Sequence, residues 1–316
     1  MEKFRLKIAT GCLMVVAGSM TISDAEINLP NTDTKTKTQT HAHPQNGTSS
    51  SEKHGRFPKG KRRKFHQQGN KKIKRNVKIV VTIDGGSATK KSPIAKSLSR
   101  KFDLIYLETG AIYRTIAYVL RKHKMEPKAE NKQKIEKFLS DVSWKILIKN
   151  NHACFVIDGE ILSDKELRSN QLNADVAVYA NLFESIHTLC LKIARKTLDH
   201  IAIEKLNGLI AEGRTCGTQC FPEADLKFWF NASSEAKVDF RLKKEGEVDD
   251  PLKRDELDKN CPFAPLKEPE NAVRIWTHNR SISRNINLVA SFIEQRFDEK
   301  SELAKISSAG KNTEKK

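Results

Sequence analysis

The stretch Val77 to Pro93, VKIVVTIDGGSATKKSP, decides the architecture. Val77 to Ile83 is an almost unbroken apolar run of β-branched residues, the composition of a strand buried on both faces. Asp84-Gly85-Gly86 ends it, and beyond the turn Ile94, Leu98 and Phe102 recur at helical spacing on one face. Strand, glycine turn and helix together open an α/β unit. Against the pattern G-x-x-x-x-G-K-[ST], Gly85, Lys91 and Ser92 fall in register and Lys90 stands where the second glycine belongs. Such a loop aims several backbone N–H groups at one point, where the helix dipole favours an anion. Gly85, Gly86, Ser87, Ala88, Thr89, Lys90, Lys91, Ser92 and Pro93 are therefore the candidate phosphate cradle, with Lys91 reaching the terminal phosphates and the Ser92 hydroxyl facing Mg²⁺. A side chain at Lys90 costs about 1–2 kcal/mol if the loop needs a left-handed residue there. Pro93 lies in the first helical turn, where its missing N–H had no partner to lose.

Outward from this unit the alternation continues. Leu104 to Leu107 predicts a second strand and Ala111 to Lys124 a second helix. Trp144 to Ile148 and Cys154 to Ile157 read as a hairpin with Asn150-Asn151 at its turn. Helices are expected over Asp164 to Asn181 and Phe183 to His200. Strands are expected at Gly208 to Ala211, Leu226 to Phe230 and Ala272 to Trp276, and Ile282 to Phe297 closes the pattern as a helix. Strands alternating with helices imply a mostly parallel sheet flanked by helices.

The 316 residues carry 57 Lys+Arg against 39 Asp+Glu, a net charge of +18, and the excess is concentrated at one end. Up to Asn76 there are 16 Lys+Arg against 5 Asp+Glu, and the eleven cations between Lys53 and Arg75 have no acid among them. That composition predicts a disordered basic arm over residues 26–76, attracted to polyphosphates such as RNA through residues 53–75, or else a simple solvated linker. Residues 1–25 have the layout of a signal-like leader: cations to Lys7, an apolar run from Ile8 to Met20, then small residues. The run is too short for a stable membrane span. Six cysteines are too few for a disulfide scaffold, and Cys216 and Cys220 read as buried thiols rather than half a metal site. Lys300 to Lys316 reads as a solvated tail.

Four blocks then turn a fold class into a resemblance. Thr82 to Arg114, TIDGGSATKKSPIAKSLSRKFDLIYLETGAIYR, couples the glycine loop to Thr109-Gly110-Ala111-Ile112-Tyr113-Arg114. Asp158-Gly159-Glu160 follows, then Glu212-Gly213-Arg214-Thr215-Cys216-Gly217-Thr218 with Phe221 to Lys227, then Arg254-Asp255-Glu256-Leu257-Asp258 with Ala264 to Lys267. In this order, over about residues 77–298, they resemble the bacterial cytidylate kinases. The resemblance implies a P-loop nucleoside-monophosphate kinase fold with a monophosphate-binding insertion and a lid, here at about 241–262 and shortened relative to the family's. It implies transfer of the γ-phosphoryl group of ATP, with Mg²⁺, to CMP or dCMP, by a monomeric cytoplasmic enzyme; the leader suggests export or an organelle as the alternative. It makes Lys91, Arg214 and Arg254 the catalytic candidates, and Thr109, Tyr113, Arg114, Arg214, Thr215, Arg254 and Asp258 the substrate-binding ones. The chain departs from the family at Lys90, at Thr215 in place of an aspartate, and at Leu257 and Cys261 in place of lid arginines. Those departures leave open a second expectation, a non-catalytic descendant that binds nucleotide or RNA.

Overall fold

The structure, a computed structural model, describes residues 74–245 and 250–313. The leader and nearly all of the basic arm lie outside the described residues. In chain order the elements are β1 (Ile79–Gly85), α1 (Lys91–Phe102), β2 (Ile105–Glu108), α2 (Thr109–Lys122), α3 (Lys132–Asp141), β3 (Trp144–Lys149), β4 (His152–Ile157), α4 (Asn170–Leu182), α5 (Glu184–Lys196), α6 (Asp199–Ile203), β5 (Gly208–Gly213), β6 (Leu226–Asn231), α7 (Ser234–Glu245), α8 (Pro251–Lys259), β7 (Val273–Trp276) and α9 (Ile282–Thr313).

The strands form a seven-stranded sheet in the order β3-β4-β2-β5-β1-β6-β7. Every neighbouring pair is parallel except β3 and β4. β1 lies between β5 and β6, with Val81 opposite Ile210 on one side and Ile83 opposite Phe228 on the other. Neighbours on both edges and helices on both faces explain why its apolar run is continuous rather than alternating. One face is covered by α1 and α9, where Ile94, Leu98 and Phe102 meet Val289, Ile293 and Phe297. The other is covered by α2, α3, α4 and α5, through Ile112, Ile116, Ile135, Tyr179, Leu189 and Ile193. The carboxyl ends of β1, β2 and β5 finish side by side at Gly85, Glu108 and Gly213. Beyond strand ends of this kind an open α/β sheet leaves its binding crevice.

The antiparallel exception was legible. Asn150 and Asn151 both adopt positive φ, 51° and 64°, making the two-residue turn whose twist suits a hairpin and for which asparagine is favoured. Other boundaries differ from the periodicity. α1 starts at Lys91, directly after the loop, rather than at Ile94. The helix expected over Asp164 to Asn181 is a short turn, Glu166–Arg168, followed by α4, whose amino end is capped by the Ser169 hydroxyl accepting from Leu172 N–H at 3.4 Å. The helix expected over Phe183 to His200 breaks after Lys196 and resumes as α6. The segment from Lys300 read as a solvated tail continues α9 as far as Thr313, with Leu303 and Ile306 exposed. The lid region is two helices, α7 and α8, joined across residues 246–249, which lie outside the described residues.

Candidate active site

β1 ends in the glycine loop because nothing larger fits. Gly85 has φ 147°, and a Cβ there would lie 2.2 Å from the Phe230 carbonyl oxygen of β6. The loop then takes two left-handed residues that are not glycine, Ala88 at φ 55° and Lys90 at φ 62°. The torsion that the motif's second glycine would provide is thus adopted by Lys90, at about 1–2 kcal/mol. The Lys90 side chain swings away from the cradle to donate to the Thr277 carbonyl at 3.1 Å, and this contact offsets part of that cost. Backbone geometry survives the substitution, with the bulk directed elsewhere.

Lys91 is buried, 7% exposed, and folds back over the loop. Its ammonium donates to the carbonyls of Gly85 at 2.9 Å and Gly86 at 2.6 Å, and to Thr89 Oγ1 at 3.3 Å. Burial, reinforced by the Arg214 charge, lowers its pKa to about 7. Ser92 donates its hydroxyl to Glu212 Oε1 at 2.7 Å, and Tyr106 donates to the same oxygen at 2.9 Å. Asp84, wholly buried, accepts the backbone N–H groups of Cys216 at 2.7 Å and Gly217 at 2.6 Å. Burial raises its pKa although both hydrogen bonds oppose the rise. This carboxylate ties the Arg214 turn to the glycine loop. The turn closes with Cys220 N–H on Thr215 O at 3.2 Å and Phe221 N–H on Cys216 O at 2.7 Å, wide i→i+5 bonds of the kind frequent at functional sites.

Across a cavity of about 210 Å³ stand the other sequence-predicted residues. Thr109, Tyr113, Arg114, Arg214, Thr215, Arg254 and Asp258 all line it, with Ser87 to Pro93. Thr109 starts α2 and donates its hydroxyl to the Glu212 carbonyl at 3.1 Å. Arg114 is held from two sides, Nε by Asn173 Oδ1 at 3.1 Å and a terminal nitrogen by Glu108 Oε1 at 3.0 Å. Burial works to raise the Glu108 carboxyl, but the Arg114 and Arg168 guanidiniums outweigh it and hold it below the usual carboxylate range. Arg214 spans the two halves: Nε donates to Asp258 Oδ2 at 2.7 Å, one terminal nitrogen to Ser87 Oγ at 3.0 Å and the other to Gly85 O at 3.3 Å. Burial disfavours its charge, yet Asp258, helped by Asp255 and Glu212, more than compensates.

Tyr113 differs from an open stacking platform. Its hydroxyl lies 2.9 Å from His187 Nδ1, and His187 Nε2 lies 2.7 Å from the Ala180 carbonyl. A carbonyl only accepts, so Nε2 carries the proton and Nδ1 accepts from the tyrosine. Burial lowers the His187 pKa, keeping the ring neutral. Cys216 and Cys220 are buried free thiols, and among the described residues no group of three His, Cys, Asp or Glu side chains is placed to hold a metal.

Sequence reasoning assigned no role to Asp84, Glu108, Glu212, Arg168, Asn173 or Lys237. Asp84 and Glu212 had a usable signal, a carboxylate and then a glycine ending an apolar strand. Arg168, Asn173 and Lys237 had none, because their proximity to the site comes only from the packing of α4, α7 and the turn before α4.

A glycine loop between the central strand and a helix, facing arginines across a crevice at the carboxyl ends of parallel strands, defines a P-loop nucleotide-binding α/β protein. Comparison with known proteins narrows the class. Residues 81–295 match the family model described as cytidylate kinase, which is more than half of the chain, and the chain belongs to that family. It is similar to the cytidylate kinase of Clostridium tetani, 29% identical over 69% of this chain and 95% of that protein. It is 30% identical to the cytidylate kinases of Clostridioides difficile, over 68% of this chain and 98% of that one, and of Aquifex aeolicus, over 68% and 96%.

Proposed function

We propose that the chain transfers the γ-phosphoryl group of ATP to CMP or dCMP, giving CDP or dCDP and ADP. The observation that carries this reading is one cavity in which the Ser87–Pro93 stretch of the loop faces Arg114 and Arg214. The acceptor is already an anionic phosphate, so the reaction asks for no strong general base. It asks for two negatively charged groups to be brought together and their charge neutralised. Arg114, oriented by Glu108 and Asn173, holds the acceptor phosphate as a planar fork. Thr109 and Tyr113 position the nucleoside, with Thr215 at the wall beside it. Arg214 sits between acceptor and loop, where charge builds on the transferring group. Arg254 and Asp258, both on α8, enter with the lid. Lys91 leaves the carbonyls of Gly85 and Gly86 for the donor phosphates, and the loop amides complete the cradle.

Mg²⁺ suits the donor set, since Ser92 and Glu212 are hard oxygen ligands already in contact at 2.7 Å. Mg²⁺ typically takes one or two protein oxygens with substrate phosphates and water, so a dedicated cage is not required. When bound it supplies charge neutralisation on the donor phosphates. ADP release coupled to a reporter reaction, with CMP, dCMP and UMP as acceptors, tests the proposal. Acceptor-dependent turnover that is lost in Lys91→Ala is expected, and its absence in the unmodified chain would refute the kinase reading.

The need for ATP favours the cytoplasm, and a monomer is proposed from the family resemblance alone. Among the described residues no helix is long and apolar enough to cross a membrane. For residues 53–75 we propose RNA contact by counterion release. Deleting them should abolish RNA binding that is strong at 50 mM salt and weak at 200 mM; unchanged binding would overturn the idea.

A further inference from the structure

We propose that Asp255 of α8 is an internal competitor for the donor phosphates, a carboxylate that fills the loop's anion site until nucleotide displaces it. The inference rests on the kinase reading only for the identity of the anion; the contact itself is geometric. Asp255 is 4% exposed, and its Oδ1 accepts the Ser87 backbone N–H at 2.5 Å. Its Oδ2 lies where a side chain on Gly86 would begin, 2.3 Å from the position a Cβ would take. The carboxylate is therefore pressed onto the bare α-carbon and the amide that the loop offers to a ligand. Lys237 reaches from α7 to neutralise it, Nζ to Oδ2 at 2.7 Å. Three residues on, and so on the same face of α8, Asp258 takes the Arg214 guanidinium at 2.7 Å. The helix thus sets two carboxylates against two groups that bind phosphate.

A carboxylate and a phosphate oxygen make the same kind of charge-assisted bond to a backbone N–H, and one N–H cannot fully serve both. Binding of a triphosphate to the cradle must lift Asp255 away, and with it α8. Lys91, curled onto Gly85 and Gly86 while the carboxylate sits above them, is then free to turn outward. The apparent affinity for donor is the intrinsic affinity reduced by the fraction of molecules in which α8 is already displaced.

The test is calorimetric titration of the full chain with Mg·ATP and, separately, with inorganic tripolyphosphate, comparing the unmodified protein with Asp255→Asn and Asp255→Ala. Loss of the charge-assisted contact should tighten both ligands about tenfold to a hundredfold. Unchanged or weaker binding in a variant with native circular dichroism overturns the proposal. Should neither variant fold, amide exchange on the unmodified chain decides. Tripolyphosphate alone should protect residues 85–92 while speeding exchange in α8, and slower exchange in α8 refutes displacement. Tighter binding by Asp255→Asn without CMP-dependent ADP release would leave this inference standing and sink the kinase reading. Normal turnover with unaltered affinity would do the reverse.

Discussion

Replacing Lys91 by methionine separates what the ammonium does for the fold from what it does for chemistry. In the folded chain its pKa is about 7, against an ordinary value of 10.5, with burial the first cause and Arg214 the second. At pH 8 the folded protein therefore holds a largely neutral amine that would be charged in the unfolded chain, a penalty of roughly 3 kcal/mol. Methionine has similar length and removes the penalty. Against this, the carbonyls of Gly85 and Gly86 lose a donor, at about 1 kcal/mol each. The two effects leave Lys91→Met neutral to about 2 kcal/mol more stable, a rise in melting midpoint of roughly 0–6 °C. For transfer the outcome is opposite. Two charge-assisted contacts to donor phosphates disappear, at about 1.5–3 kcal/mol each, so kcat/KM should fall about 10²- to 10⁴-fold. Thermal unfolding at pH 8 and the ADP-release assay read the two quantities on one preparation. A midpoint more than about 5 °C lower, with kcat/KM within tenfold of the unmodified chain, would refute the reasoning.

The depressed Lys91 pKa also sets a pH dependence: between about 7 and 10.5 the folded chain binds fewer protons than the unfolded one, so this group makes stability rise with pH across that window. Phosphate binding favours the charged form, so Mg·ATP affinity should fall as pH rises through about 7, with proton uptake on binding measurable by titration in buffers of different ionisation enthalpy. Arg114→Lys keeps the charge but cannot span Glu108 and Asn173 together; KM for CMP should rise about tenfold to a hundredfold while the Kd for Mg·ATP stays unchanged. Glu212→Gln should raise the Mg²⁺ concentration needed for half-maximal activity about tenfold or more, read from a Mg²⁺ titration at saturating nucleotide.

The legible parts of the molecule are those that local chemistry dictates. The apolar run of β1, the turn at Asp84-Gly85-Gly86 and the stripe Ile94, Leu98, Phe102 specify a strand–loop–helix unit wherever the rest of the chain lies. Asn150 and Asn151 specify a hairpin for the same reason, since they tolerate the left-handed torsions its turn requires. Helix ends were less legible. No proline or glycine marks the breaks after Arg168 and Lys196, and the first falls at the Ser169 cap of α4. Motif blocks marked Arg114, Arg214 and Asp258, but Asn173 lies outside every block, and that Arg114 is held by Glu108 and Asn173 and Arg214 by Asp258 follows from packing alone.

Composition, periodicity and short motifs alone determined that this chain is an α/β protein with a candidate phosphate-binding loop between its first strand and first helix, because strand burial and loop torsion are properties of neighbouring residues. Only the tertiary structure decided that Lys90 adopts the left-handed torsion with its side chain turned out to Thr277, that Lys91 is buried deeply enough to lose its charge near neutrality, and that Asp255 occupies the cradle. Those outcomes depend on distances between groups far apart in the chain, and electrostatic and desolvation energies follow distance and burial, which a linear sequence does not contain.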